Sequence, residues 1–253
     1  MAEKNVTRRA LGIMAPILVF VLVLGLFEFL VVTLEMPTWL ISKPSDTFKT
    51  LVANFSDIWP NTLITIEEIL IGYVIGVTTG IVLALIFTSN RFLDKAISPY
   101  VIFLIVTPQI IMVPLLMLWM GFGIKVKILA VALSSFPINM MSTMTGVRSV
   151  SADRYELMKS LRATKLQTFF KVLIPSALPN VFTGMRLATI FATTSAVGAE
   201  LISGNIGVGP QIAYHTEFMM VDISFAYVYV MLFISVMFYM LINGIESLVL
   251  RGR

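Results

Sequence analysis

The side chains in this sequence that could do chemistry are few, and most stand where charge is expensive. Glu28, Glu67, Glu68 and Glu200 fall in the outer halves of long apolar stretches, and Arg186 and Glu246 lie toward the inner ends of two others. A charge inside a hydrocarbon layer has to face protein or water, so each is either an ion-pair partner or part of the wall of a solute path. Arg186 and Glu246 sit at similar depth and are expected to pair. Glu28 differs from Arg186 by roughly 10 Å at 1.5 Å of rise per residue. Glu28 and Glu200 are candidates for lining a translocation path; ionised, they disfavour a small bare anion and suit a neutral or cationic solute. His215, beside Glu217 and Asp222, is expected to be solvated. One His and no Cys remove disulfides, thiol chemistry, most catalytic triads and His- or Cys-based metal sites. No acidic cluster has metal-ligand spacing, so no metal is expected.

The elements that position these groups are membrane helices. The chain has 253 residues, 58% of them hydrophobic and 13% charged, with a mean hydropathy of +0.93. Soluble domains carry about a quarter charged residues, so the class is all-α integral membrane, read as a single transmembrane domain over 1–253. A span needs about 20 apolar residues, and six segments qualify: 11–34, 61–88, 100–120, 126–146, 180–203 and 223–248. The first follows Lys4, Arg8 and Arg9 but is too long for a signal peptide and has no small-x-small cleavage site, so it is read as a retained span. With the N-terminus inside, thirteen Lys and Arg fall on the cytoplasmic side, against Lys43, Lys49, Lys125 and Lys127 outside. That bias gives N-in, C-in, multi-pass topology in the cell membrane. It also accounts for the net charge of +4 without a nucleic-acid partner. Outside, 45–55 places Phe48, Leu51, Val52 and Phe55 at helical spacing, as in a short interfacial helix.

Gly72, Gly76 and Gly80 form GxxxGxxxG in the second span, a face on which another backbone can approach closely; an intramolecular contact is favoured over a dimer seam. Pro108, Pro114 and Pro137 each remove a backbone donor inside spans three and four. Pro108 and Pro137, with Met112, are expected along the path, since irregular backbone is tolerated where it lines a solvated cavity. The alternative is plain helix kinks.

Residues 155–179 are the one long charged stretch inside this apolar sequence. Asp153 with Glu156 has capping-box spacing and opens a helix through about Leu161; Thr164 with Gln167 repeats the device and opens a second helix over 165–173, stopped before Pro175. Arg162 and Ala163 form the elbow. Tyr155, Met158 and Leu161 make an apolar stripe suited to docking a protein, with a helix lying on lipid headgroups as the alternative.

This stretch resembles the EAA loop of the membrane subunits of binding-protein-dependent ABC importers. The resemblance rests on Glu156-Leu157-Met158, Ala163-Thr164 and Val172-x-x-Pro175-x-Ala177-Leu178-Pro179. Leu157 and Met158 replace the family's two alanines. Arg162 replaces its elbow Gly, so the turn either uses ordinary dihedrals or carries strain. Segment 114–123, with Phe136-Pro137-Ile138, Gly198-Ala199-Glu200-Leu201 and Gly207-Val208-Gly209, looks like the nitrate, sulfonate, taurine and bicarbonate permease group, which also includes permeases for pyrimidine thiamine precursors and riboflavin. The resemblance implies a permease subunit working in the membrane lipid as a pair with a second copy of itself, a homodimer, bound to two cytoplasmic ATPase subunits and visited by an extracytoplasmic solute-binding protein. ATP and Mg would sit on the ATPase, and this chain would bind no cofactor. Tyr155, Glu156, Leu157, Met158, Leu161, Arg162, Ala163 and Thr164 would form the ATPase contact. The chain has no GxxxxGK[ST] loop and is not expected to hydrolyse ATP. The solute is expected to be a pyrimidine- or vitamin-like heterocycle, with a sulfonate, nitrate or taurine anion as the alternative. A secondary transporter would predict midplane ion sites and internal repeats, which this sequence does not show.

Overall fold

The computed structural model describes residues 2–251, with side chains from Leu18 onward and that of Ala15. The N-tail cations Lys4, Arg8 and Arg9, and Arg253, lie outside the described side chains. Among the described residues every regular element is helical. Among the described residues three helices are long and apolar enough to cross a membrane, and up to five spans result if each of two bent helix pairs counts as one.

The chain divides into two compact units, Met1–Trp59 with Gln211–Tyr229, and Pro60–Pro210 with Val230–Arg253. The first contains α1 (Ala2–Thr33), α2 (Pro44–Ala53), most of α10 (Val208–Glu217) and the start of α11 (Val221–Leu250). Pro44 occupies the first turn of α2, and Lys43 offers no side-chain cap. The cap comes instead from α1, where Glu28 accepts the Ser45 N–H at 2.9 Å, a carboxylate on the positive end of a helix. Phe48 and Val52 are exposed on α2, and Phe55 is exposed where the next helix begins, so the helix expected over 45–55 ends at Ala53. Thr50 donates to Asp222 at 3.1 Å. His215 is half-buried rather than solvated: its Nδ1 lies 2.7 Å from the Gln211 carbonyl and its ring packs near Tyr214 and Tyr227.

The second unit is built around α3 (Phe55–Thr88), α6 (Ile124–Arg148) and α9 (Ile174–Ser203). Glycines set its spacing. A Cβ on Gly72, Gly76 or Gly80 would lie 2.6, 2.5 or 2.7 Å from the carbonyl oxygens of Ile128, Ala132 or Phe136. The partners advance by four on both helices, so α3 and α6 run parallel with their backbones in near contact. On α9 the seam is antiparallel to α6: Gly146 meets Ala177 and Asn180, Gly184 meets Ser142 and Asn139, and Ser195 donates to the Ala130 carbonyl at 3.1 Å. Small residues such as Ala188, Ala192, Ala196 and Ala199, all fully buried, allow that approach.

The third span is broken rather than continuous over 100–120. Helix α4 (Arg91–Val106) ends at Thr107, and a single 3-10 turn leads into α5 (Met112–Met120) at a bend of 79°. Pro108 drives Thr107 to extended backbone. Gln109 then donates its side-chain amide to the Leu104 carbonyl at 2.7 Å, satisfying a helix-end acceptor. Pro114 lies within the first turn of α5 and Pro137 within α6.

Candidate functional site

Three places in the second unit gather the sequence candidates. The first is α7 (Ala152–Ser160) with α8 (Lys165–Thr168). Asp153 and Glu156 do not form the expected capping box. The N-cap is Ser151, in extended conformation and without a side-chain bond, which leaves Asp153 in the first helical turn. Thr164 and Gln167 do form theirs, with both reciprocal bonds present. Between the helices, the Arg162 N–H bonds the Lys159 carbonyl at 3.0 Å and the Ala163 N–H bonds the Met158 carbonyl at 2.9 Å. That is a Schellman motif with Arg162 in the left-handed region at φ 51. The elbow therefore takes the strained alternative. Glycine would hold the same conformation without a Cβ clash, so Arg162→Gly is expected to stabilise the protein by about 0.5–1 kcal/mol after its greater unfolded-state entropy is set against the relieved strain. A rise in the thermal midpoint of the purified protein is the readout; a fall would show that the Arg162 side chain is itself in use.

The second helix does not stop before Pro175. It passes through a π-helical stretch, Phe169–Leu173, directly into α9, the wider turn accommodating a residue that has no N–H to give. The expected stripe also divides. Tyr155 and Leu161 face outward, but Met158 turns into a groove of about 570 Å³ that it shares with Arg154, Leu157, Val172 and Pro175. Arg154 closes that groove by donating to Ser176 at 2.7 Å. The exposed apolar surface comprises Tyr155, Leu157 (60% exposed), Leu161 (67%), Leu166 (69%) and Phe170. Leu166 and Phe170 were legible only once α8 was known to run on into α9.

The second place is a cavity of about 310 Å³ at the break between α4 and α5, lined by Pro108, Gln109, Pro137, Phe191, Thr194 and Ser195 among others, none of them charged. Met112 lies in α5 just beyond and is not part of its lining. Thr194 and Ser195 donate their hydroxyls to the Ile190 and Ala130 carbonyls. The wall therefore offers apolar surface and oxygen lone pairs.

The third place holds acids that a solute path was expected to expose. Glu200 is fully buried, accepting from Thr65 Oγ1 at 2.7 Å and the Gly209 N–H at 2.7 Å. Glu68 is fully buried against Lys127, whose Nζ lies 2.9 Å from Glu68 Oε1 and 2.8 Å from the Ile206 carbonyl. Neither Glu28, which caps α2, nor Glu200 lines the cavity. Lys127, assigned by sequence to the outer side as a loop-end cation, is 1% exposed. The signal that could have found it is one cation at the depth of two acids. Toward the other end, Arg186 Nη1 lies 2.7 Å from Glu246 Oε2 and donates its aligned hydrogen bond to Asn243 at 3.0 Å.

Comparison with known proteins adds the following. A family profile described as binding-protein-dependent transport system inner membrane component matches residues 76–252. The formylaminopyrimidine transport permease protein ThiX of Halalkalibacterium halodurans is 27% identical over 97% of this chain and 98% of its own length. The taurine transport system permease protein TauC of Escherichia coli is 32% identical over 68% of this chain and 60% of its own. A crystal structure of an amino acid ABC transporter superimposes with a TM-score of 0.63 at 17% identity, covering 81% of this chain and 98% of that one.

Proposed function

The chain belongs to the family of binding-protein-dependent transport system inner membrane components and is an ABC importer permease, a transport subunit rather than an enzyme; we propose that it carries a small neutral heterocycle, of the pyrimidine or vitamin-like kind, across the cell membrane as one of a pair of identical permease subunits. ATP is hydrolysed on two separate cytoplasmic ATPase subunits, and an extracytoplasmic binding protein delivers the solute. The observation that carries this reading is the projecting α7–α8 hairpin. It is capped at Thr164 and closed by the Arg162 turn, and it presents exposed Leu157, Leu161 and Leu166 amid basic residues. An apolar surface with fixed geometry docks into a protein cleft, and a hairpin rigid at both ends can pass nucleotide-driven closure to the spans. Tyr155, Glu156, Leu157, Met158, Leu161, Arg162, Ala163 and Thr164 form that contact, with Met158 acting from beneath.

Helix directions support the six-span, N-in, C-in topology. The parallel register of α3 with α6, and the antiparallel register of both with α9, follow if the second and fourth spans run inward and the fifth outward. Tyr73 donating to the Met185 carbonyl at 3.1 Å, and Arg148 pairing with Asp94 at 2.7 Å, fit the same order. The heterocycle reading is supported by the uncharged cavity and by the similarity to ThiX, a formylaminopyrimidine transport permease protein. The similarity to TauC favours a second reading, a sulfonate-type anion.

The test is co-expression with the candidate ATPase and affinity capture, wild type against Glu156→Lys plus Leu157→Asp. A complex present in the wild type and lost in the double variant is expected. A wild type that binds no ATPase, together with ATP-independent uptake by the chain alone in liposomes, would overturn the reading.

A further inference from the structure

Glu68, Lys127 and Glu200 come from α3, α6 and α9 and meet with no exposure to solvent. Their partners are unevenly shared. Glu200 has a donor on each oxygen, Thr65 on Oε1 and Gly209 on Oε2. Glu68 Oε1 has Lys127, but Glu68 Oε2 is buried without any donor. A bare carboxylate oxygen in that position forfeits its hydration for nothing. Thr65, one turn before Glu68 on α3, holds Glu200, and the Lys127 that holds Glu68 also holds the turn that Glu200 holds, so the two carboxyls share one buried site with Lys127 as its cation. Two carboxylates against one ammonium leave a net negative charge in a fully buried place, and like charges sharing one site do not both ionise.

We infer that the Glu68–Glu200 pair is a protonation site holding one proton, carried on Glu68 Oε2 and directed at Glu200. The hydrogen gives Oε2 its bond, leaves Glu200 the anion that its two donors select, and makes the cluster neutral against Lys127. The neutral cluster is also a latch. Lys127 holds the Ile206 carbonyl, Glu200 holds the Gly209 N–H, and Thr65 accepts the Val208 N–H at 3.0 Å. The turn between α9 and α10 thus closes directly onto the acids. A Cβ on Gly207, which has φ 113, would sit 2.0 Å from Glu200 Oε1, and one on Gly209 would sit 2.6 Å from Glu200 Cβ. Only glycine lets the backbone come that near. The inference concerns the charge state of a helix junction and stands whatever solute the permease carries.

Glutamine mimics a protonated glutamate, so the two acids should respond in opposite ways. Full-length Glu68→Gln, purified in detergent, is expected to melt with the wild type, its amide N–H donating to Glu200 as the acid proton does. Glu200→Gln is expected to melt lower, because an amide cannot accept from both Thr65 and Gly209 while presenting its own N–H to that neighbourhood. The infrared spectrum of the wild type at neutral pH should show the carbonyl stretch of a protonated carboxylic acid, shifted on deuteration, and Glu68→Gln should lack it. Absence of the band in the wild type, its persistence in Glu68→Gln, or equal destabilisation of the two variants would each overturn the inference. Because the chain has no Cys, a single Val208→Cys, at a side chain fully buried while the turn is closed, reports the latch independently in each background. Thiol labelling should be as slow with Glu68→Gln as with the wild-type acid and faster with Glu200→Gln; equal fast labelling in both would likewise count against it.

Discussion

Replacing Lys127 by methionine is expected to cost about 3–5 kcal/mol of stability, the range for removing one member of a buried charged network. Methionine matches the length of the lysine stem and keeps the packing against α3, so the loss reads charge and hydrogen bonding rather than a cavity. Removing the ammonium leaves Glu68 and Glu200 with no cation, and the Ile206 carbonyl loses the donor 2.8 Å away. The acids can then remain only by binding a further proton, and the 204–209 turn loses its hold on α6. The measurement is the thermal midpoint of the full-length variant in detergent, together with its expression in the membrane fraction. A midpoint equal to that of the wild type would mean that the ammonium is dispensable and that the turn is held by Glu200 and Thr65 alone.

Gly76→Ala is expected to lower stability by about 1–3 kcal/mol, the range for forcing a methyl into a filled core. The obstacle is the Ala132 carbonyl at 2.5 Å, with Ser135 Cβ at 2.9 Å. A backbone atom cannot rotate aside, so α3 must move off α6, and Gly72 and Gly80 tie that movement to the whole seam. Gly244→Ala is the control. Nothing lies within 4 Å of its added methyl, and alanine there should gain roughly 0.5–1 kcal/mol from helix propensity. Opposite signs at two membrane-helix glycines separate packing from propensity in one experiment. A harmless Gly76→Ala would show that the α3–α6 contact is looser than described.

The sequence was most readable where a local rule acts alone. The Thr164–Gln167 box needs only its own four residues. The helix Pro44–Ala53 follows from a proline in the first turn and an apolar repeat, and Arg186 meets Glu246 because depth along a helix is countable. It was least readable where a distant partner decides. Asp153 and Glu156 have the spacing of a cap, but the chain enters α7 two residues earlier, from Ser151. Pro175 looks like a stop, yet α9 needs that length to meet α6, and the π-helical stretch absorbs the missing donor. The break at Thr107 was hidden because Pro108 stands in a run apolar enough to read as one span. Lys127 reads as a loop end until Glu68, 59 positions away, is placed beside it. Glu28 and Glu200 read as wall residues because composition reports charge but not who holds it.

The absence of a break at Pro175 has a mechanical consequence. From Lys165 to Ser203 the chain is one continuous helical run that includes its π-helical stretch, roughly 55–60 Å long at 1.5 Å per residue. Such a rod magnifies angle into distance, about 1 Å of travel at the far end for each degree of tilt over that length. Its near end is the exposed hairpin and its far end carries Glu200. A few degrees of rocking imposed at the hairpin therefore arrive at the buried acids as several ångströms, more than their 2.7 Å hydrogen bonds can stretch, so that the rod must either pivot along the α6 seam or part from the turn it holds.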